Sequence, residues 1–335
     1  MAETVLVTGG TGFIGGWCIL QLLQRGYGVR ATVRSLAKEP AVRAAVASAP
    51  GAAERLTVLA ADLTADEGWD AAAAGCDYVL HVASPLGASS AGQNPDDWII
   101  PARDGTLRVL RAATKAGVKR VVMTSAAAAA RPPYRSDAVS DETVWTDPAD
   151  RKFDNYRLSK ILAERAAWDF MAAHGGSTSF TTILPGAVFG PVLSRETLGS
   201  VRIIQGLLNG RPPALPRLGF WITDVRDLAD LHIRAMTAPQ AAGERFIGAG
   251  EFMWMADMAE ALRAGLGEKA AKVPTRRLPD AMVRLLSLTN PQMRTIAPDL
   301  GRMNRLTTAK ARQVLGFSPR PAAETLIDCA NSLMG

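Results

Sequence analysis

The stretch that ends at Gly15 restricts the fold more than any other. Thr4-Val5-Leu6-Val7-Thr8 is a short apolar, β-branched run, which reads as a buried strand. Gly9-Gly10-Thr11-Gly12-Phe13-Ile14-Gly15 comes directly after it. Trp17, Ile19, Leu20, Leu22 and Leu23 then recur at helical spacing as far as Gly26. The order is strand, glycine loop, helix. Gly9 permits a tight turn, Gly12 lets the backbone approach a pyrophosphate, and Gly15 lets helix and sheet pack closely. The helix start then offers free N–H groups and a partial positive charge to the phosphates. A glycine-rich heptamer by itself says little, but between a strand and a helix it reads as a dinucleotide-binding turn.

The alternation of strand and helix continues beyond Gly26. Residues 29–33 form a second strand, and the position after it discriminates between nicotinamide cofactors. A carboxylate there would accept from a ribose 2′-hydroxyl, whereas a guanidinium forks onto a 2′-phosphate. The chain places Arg34 there and Lys38 four residues on, which points to NADP(H). Residues 56–61 read as strand three, with Asp62 and Leu63 at its end to bracket the adenine. Residues 78–83 read as strand four, with His81 as a packed core residue. Asn94-Pro95 opens a helix to Ala116, and residues 118–124 are strand five. This order predicts an α/β fold: a doubly wound parallel (Rossmann) sheet whose ligand lies at the carboxyl ends of the strands, with a smaller, mostly helical substrate-binding lobe. The expected division is 1–190 for the dinucleotide-binding domain, with 217–248 returning to it, and 191–216 plus 249–335 for the lobe.

Residues 127–153 carry prolines and charges without a clear period and read as a long connection, with Trp145 as its anchor. A helix then starts near Asp154, and its apolar spacing predicts a buried face of Leu158, Leu162, Ala166 and Phe170. Tyr156 and Lys160 stand four apart on it, so their side chains share a face. A cation beside a phenol favours the phenolate, which makes the pair a candidate acid/base. Taken alone, this spacing more often marks a solvated helix face. A strand at 180–184 ends in Pro185-Gly186-Ala187-Val188. A helix near 195–209 and a strand at 220–223 come next. Asp224 reads as the N-cap of a helix through Met236, and residues 246–247 as a last strand.

Composition narrows the remaining classes. Hydrophobic residues make up 48% of the 335-residue chain and charged residues 21%. Cys18, Cys76 and Cys329 lie far apart without a CxxC, and His81, His174 and His232 form no ligand spacing, so no metal is expected. No apolar run reaches the length of a bilayer span, and Met1-Ala2-Glu3-Thr4 leads straight into a strand; the reading is a cytoplasmic protein without a membrane partner. The net charge is +6, and much of the excess lies beyond residue 275, including Arg276, Arg277, Arg284, Arg294, Arg302 and Arg305. No aromatic-interleaved basic run or nucleic-acid motif accompanies it. The tail reads as a basic lobe near a polyanionic cofactor or an acidic substrate.

The glycine spacing at 9, 12 and 15 together with Tyr156-x-x-x-Lys160 resembles the extended short-chain dehydrogenase/reductase superfamily. Val29-Arg30-Ala31-Thr32-Val33-Arg34, Asp141-Glu142-Thr143-Val144-Trp145, the segment from Leu162 to Trp168, and Asp224-Val225-Arg226-Asp227 resemble one group within it: the dihydroflavonol reductases, cinnamoyl-CoA reductases and microbial aldehyde and ketone reductases. The resemblance implies that Tyr156 is the general acid/base and that Lys160 lowers its pKa and holds the nicotinamide ribose. It also implies that Phe13, Ile14, Arg34, Lys38, Asp62, Leu63, Ala83, Pro185 and Val188 line the cofactor. One position departs from the pattern. The family serine at the end of strand five would be the third residue of Thr124-Ser125-Ala126, which here is alanine. Ser125 is placed in the site only if the strand ends or bulges there. Otherwise Thr124, another donor, a water or the substrate itself polarises the carbonyl.

The expected activity is NADPH-dependent, reversible reduction of an aldehyde or ketone, with a small carbonyl substrate as the partner and a monomer or homodimer as the assembly. Two alternatives stand beside it. One is an epimerase or dehydratase of a nucleotide sugar, against which Arg34 speaks. The other is an NADP(H)-binding sensor with weak catalysis, motivated by Ala126.

Overall fold

The computed structural model describes residues 2–85, 94–134, 136–149, 153–194 and 199–335. Its centre is a sheet of seven strands: β1 Thr4–Val7, β2 Gly28–Val33, β3 Leu56–Ala60, β4 Tyr78–His81, β5 Arg120–Thr124, β6 Ser179–Pro185 and, last in sequence, β10 Glu244–Gly248. The order across the sheet is β10-β6-β5-β4-β1-β2-β3, and every neighbouring pair is parallel. The winding reverses between β1 and β4, which opens the crevice at their carboxyl ends.

Both faces of this sheet are covered, so its strands are mostly apolar and buried, and the polar residues within them, such as Thr182 and Arg245, are buried with partners. Val5 and Val7 pack with residues of the helices Phe13–Gln24 and Val225–Thr237. Leu6 points the other way, into the core formed with the helices Asp96–Lys115 and Asn155–His174. Alternate residues of one strand thus feed two cores.

Two small sheets lie beyond the central one. β7 Ala187–Phe189, β9 Gly219–Asp224 and β11 Phe252–Trp254 form the first, with β9 in the middle. β8 Leu215–Pro216 and β12 Arg277–Leu278 form the second. A separate core beneath them joins Phe189, Ile204, Leu207, Met258, Leu262 and Leu326. Part of the segment 195–209, read as one helix, lies outside the described residues; its described helix is Val201–Leu208.

The helix Asn155–His174 buries a different face from the one its apolar spacing suggested. Ser159, Lys160, Ala163, Glu164, Ala167 and Met171 are buried, whereas Leu158, Leu162, Ala166 and Phe170 are half-buried flanks. Three polar side chains lie on the buried side because each has a partner, one on the helix itself and two beyond it. Ser159 Oγ donates to Tyr156 O at 2.8 Å, and Lys160 Nζ to Thr124 O at 2.6 Å. Glu164 accepts from Ser125, Thr182 and Arg245. Among the described residues no helix is long and apolar enough to cross a membrane.

Candidate active site

The glycine turn is built by close approach. Gly9 has φ +76, and a Cβ there would stand 3.1 Å from Ala83 Cα. A Cβ on Gly15 would fall 2.3 Å from Gly9 O, so the helix start leans directly on the turn. The helix Phe13–Gln24 has Gly12 as its N-cap, with no side-chain cap bond and no acid in the first turn. Its first N–H groups therefore have neither a capping oxygen nor a competing carboxylate. These features fit the pyrophosphate of a dinucleotide.

Thr8 ties the two strand ends that flank the crevice. Its hydroxyl oxygen accepts from Val82 N at 3.1 Å and Ala83 N at 3.0 Å. Thr106 donates its proton to Ala102 O, so it accepts from His81 Nε2–H at 3.1 Å. His81 Nδ1 is then the acceptor of the Thr8 hydroxyl at 2.9 Å. Burial, with the Lys160 charge second, holds His81 neutral with a pKa pushed down to about 3. His81 is a packed strut, as its apolar strand suggested, and it fixes Ala83 against Gly9.

At the end of β2, Arg34 and Lys38 are both exposed. Asp62, at the end of β3, receives Thr64 N and Thr64 Oγ1, both at 2.8 Å. The Thr64 backbone bond is the main cause that holds its carboxyl below the usual range, and the Arg34 charge adds to it. Leu63 packs against Gly105, which has no room for a side chain: a Cβ there would meet Leu63 Cβ at 2.6 Å. Pro185 closes β6, and Val188 pairs in register with Thr223.

Tyr156 lies in the first turn of its helix, which Asp154 caps by accepting from Arg157 N at 2.8 Å. The Trp98 ring meets the Tyr156 ring edge-on, with centroids 6.3 Å apart. Burial raises the phenol pKa above its ordinary value, and the Asp154 charge adds to the rise. The expected lowering by Lys160 is not what this arrangement shows. The Lys160 ammonium is turned onto Thr124 O at 2.6 Å, and burial pulls its pKa down to about 8 against the opposing charge of Glu164. His232, which donates Nδ1–H to Leu228 O, accepts the Thr124 hydroxyl on Nε2 at 2.7 Å. The bond to Thr124 O sets the ammonium at the carboxyl end of β5, where its charge adds to burial in lowering the pKa of both His81 and His232.

Ser125 belongs to a different group. Its N–H makes the last ladder bond of β5, to Ile183 O at 2.8 Å, and the strand ends at Thr124 without a bulge. It is 2% exposed, and its hydroxyl donates to Glu164 Oε2 at 2.5 Å. A hydroxyl has one proton, and this one is committed to a carboxylate. Although the strand ends just before it, the Ser125 hydroxyl is therefore turned to Glu164 and not to a carbonyl in the crevice. Ala126 is also extended, with φ -154, and presents its methyl to the opposite side.

The Glu164 cluster carried no signal in the sequence. Arg245 pairs with Glu164 Oε1 at 2.9 Å, with side-chain exposures of 6% and 0%. The same guanidinium donates to Glu142 O, Val144 O and Ala129 O and lies 3.7 Å from the Trp145 ring centroid. It pins the connection after Ala126 to β10, so the anchoring role read for Trp145 is shared with Arg245.

A doubly wound sheet with a glycine-rich first turn and a Tyr-x-x-x-Lys helix beside β5 defines the extended short-chain dehydrogenase/reductase class. Within it, the chain belongs to the NAD dependent epimerase/dehydratase family, whose profile matches residues 5–247. It is 38% identical over 248 residues to dihydroflavonol 4-reductase of Zea mays, which covers 72% of this chain and 68% of that one. It is 31% identical over 325 residues to cinnamoyl-CoA reductase 1 of Petunia hybrida, 95% of each. Among solved structures, Gre2 of Candida albicans in complex with NADPH matches with a TM-score of 0.81 at 25% identity, over 99% of this chain and 98% of that one. Vestitone reductase from alfalfa matches with a TM-score of 0.77 at 26% identity, over the same 99% and 98%.

Proposed function

We propose that this protein is an NADPH-dependent reductase of aldehydes or ketones that also runs in reverse as an alcohol dehydrogenase. The observation that carries the reading is the placing of Lys160 on the carboxyl end of β5, at 2.6 Å from Thr124 O. In this reading the Tyr156 helix stands across the crevice from the glycine turn. The relatives support it, since they are named as reductases of small molecules and one structural neighbour is complexed with NADPH.

In this reading Gly9, Gly12, Phe13, Ile14 and Gly15 hold the pyrophosphate, and Ala83 closes over it. Arg34 and Lys38 take the 2′-phosphate, Asp62 and Leu63 the adenine, Lys160 and Tyr156 the nicotinamide ribose, and Pro185 and Val188 the nicotinamide. When bound, NADPH supplies the hydride, because the chain has no redox group of its own. The chain supplies the proton and the geometry. Its raised pKa keeps the Tyr156 phenol protonated at neutral pH, the state a donor to a carbonyl oxygen needs. Lys160 is charged below about pH 8 and offers that charge to the nicotinamide ribose from the end of β5. Ser125 supplies nothing to the carbonyl, so Tyr156 is the main donor to its oxygen. The segments 191–216 and 249–335 form the substrate lobe, and the protein works in the cytoplasm as a monomer or homodimer. The test is loss of NADPH absorbance with a panel of aldehydes and ketones. Tight NADPH binding with no consumption on any of them would sink the reading and favour a sensor.

A further inference from the structure

Two cations of the basic tail, Arg302 and Arg305, meet at one place in the fold. A cavity lies between the connection after Ala126 and the segment around Asp299, and its lining includes Arg131, Tyr134, Phe153, Asp299, Arg302 and Arg305. Both walls adjoin the catalytic positions. Arg131 comes after Ala126 along the 3-10 turn Ala127–Ala130, and Phe153 immediately precedes the Tyr156 helix and its Asp154 cap. Asp299 binds Arg157, the neighbour of Tyr156, at 2.5 Å.

The charges around the cavity do not cancel. Asp299 serves two guanidinium groups, since it also faces Arg131 at 3.5 Å. Asp154 gives Arg157 a second, longer contact at 3.4 Å. Arg302 stacks 4.2 Å from the Tyr134 ring centroid, and Arg305 is exposed; among the described residues neither pairs with a carboxylate. Among the described lining residues three guanidiniums, Arg131, Arg302 and Arg305, thus face one carboxylate, Asp299, which Arg157 also engages. Pro132, Pro133, Pro298 and Phe153 supply apolar faces between them. Such a lining suits an apolar or aromatic body that bears an anion, because guanidinium forks onto carboxylate or phosphate and also stacks on rings.

We infer that this cavity is an anion-recognising subsite, and that the substrate reduced at Tyr156 carries a carboxylate or phosphate group away from its carbonyl. The inference rests on the carbonyl-reductase reading. Para-carboxybenzaldehyde and its methyl ester differ only in the anion, so their kcat/KM ratio isolates it. The wild type prefers the acid. Arg302→Gln with Arg305→Gln lowers that ratio on the order of 10-fold, through KM, as expected for a lost charge-assisted contact. Arg302→Lys with Arg305→Lys keeps most of the preference, and ester turnover in each variant reports an intact fold. A wild-type ratio at or below one, or a ratio unmoved by the Gln pair, overturns the inference. If neither aldehyde is reduced, the carbonyl reading fails while the subsite remains testable by calorimetric titration with para-carboxybenzaldehyde and with inorganic phosphate. Binding lost in the Gln pair supports the subsite, and equal binding in both overturns it. Phosphate that binds through these arginines without weakening para-carboxybenzaldehyde marks a separate effector anion and overturns the substrate assignment.

Discussion

Replacing Arg34 by Gln removes one charge from the end of β2 and leaves the glycine turn untouched. Charge-assisted hydrogen bonds are worth roughly 1.5–3 kcal/mol. Arg34 is exposed, so solvent screens it and the lower end applies, about 1.5 kcal/mol or ~10-fold in affinity. A second effect acts in the same direction. Asp62 remains ionised because Thr64 holds its carboxylate, and with Arg34 gone the charge that acts on it from the end of β2 is lost. The expected result is a KM for NADPH raised about 10-fold or slightly more, with the KM for NADH changed less than about two-fold. Salt sharpens the assay. The Debye length falls from ~30 Å at 0.01 M to ~8 Å at 0.15 M, so the wild-type KM for NADPH rises across that range and the variant's rises less. Steady-state kinetics with both cofactors at both ionic strengths measures all of this. An equal change for NADPH and NADH, or none for either, would refute the role given to Arg34.

The same geometry sets three further outcomes. Ala126→Ser restores a donor where the Ser125 proton is committed to Glu164, and kcat rises by on the order of 10²-fold; an unchanged kcat means that another donor already serves. Reduction weakens as pH rises through about 8, because Lys160 loses its proton there while the Tyr156 phenol keeps its own. A kcat/KM profile that stays flat to about pH 10 would contradict this. Arg245→Met leaves the fully buried Glu164 without its guanidinium and costs about 3–5 kcal/mol in chemical denaturation; a loss below about 1 kcal/mol would mean that the cluster does not hold the connection.

Periodic and local features were readable in the chain. The seven central strands, the glycine turn and the Asp224 cap each depend on neighbours a few residues away, and the structure has them where the spacing put them. The four short strands β7, β8, β11 and β12 were not legible. Each has two or three residues, and each pairs with a partner distant in sequence, so no period marks it. The Tyr156 helix misled for another reason. Apolar spacing locates a buried face only when the core is apolar, and here Lys160 and Glu164 are buried by polar partners from β5, β6 and β10. The same long-range partners explain Ser125. Strand alternation allowed either a bulge or a hidden side chain, and only the position of Glu164 decides. The Tyr156–Lys160 spacing was visible, but the direction of the ammonium was not, because Thr124 O belongs to a strand end that precedes the helix by a long connection.

Proton donation by Tyr156 is isolated by Tyr156→Phe, which removes one hydroxyl and little else. NADPH consumption on an aldehyde that the wild type reduces falls by at least ~10²-fold, the usual contribution of a positioned acid, while NADPH affinity by fluorescence titration stays within about three-fold. Turnover close to that of the wild type, with NADPH bound as before, would contradict the assignment.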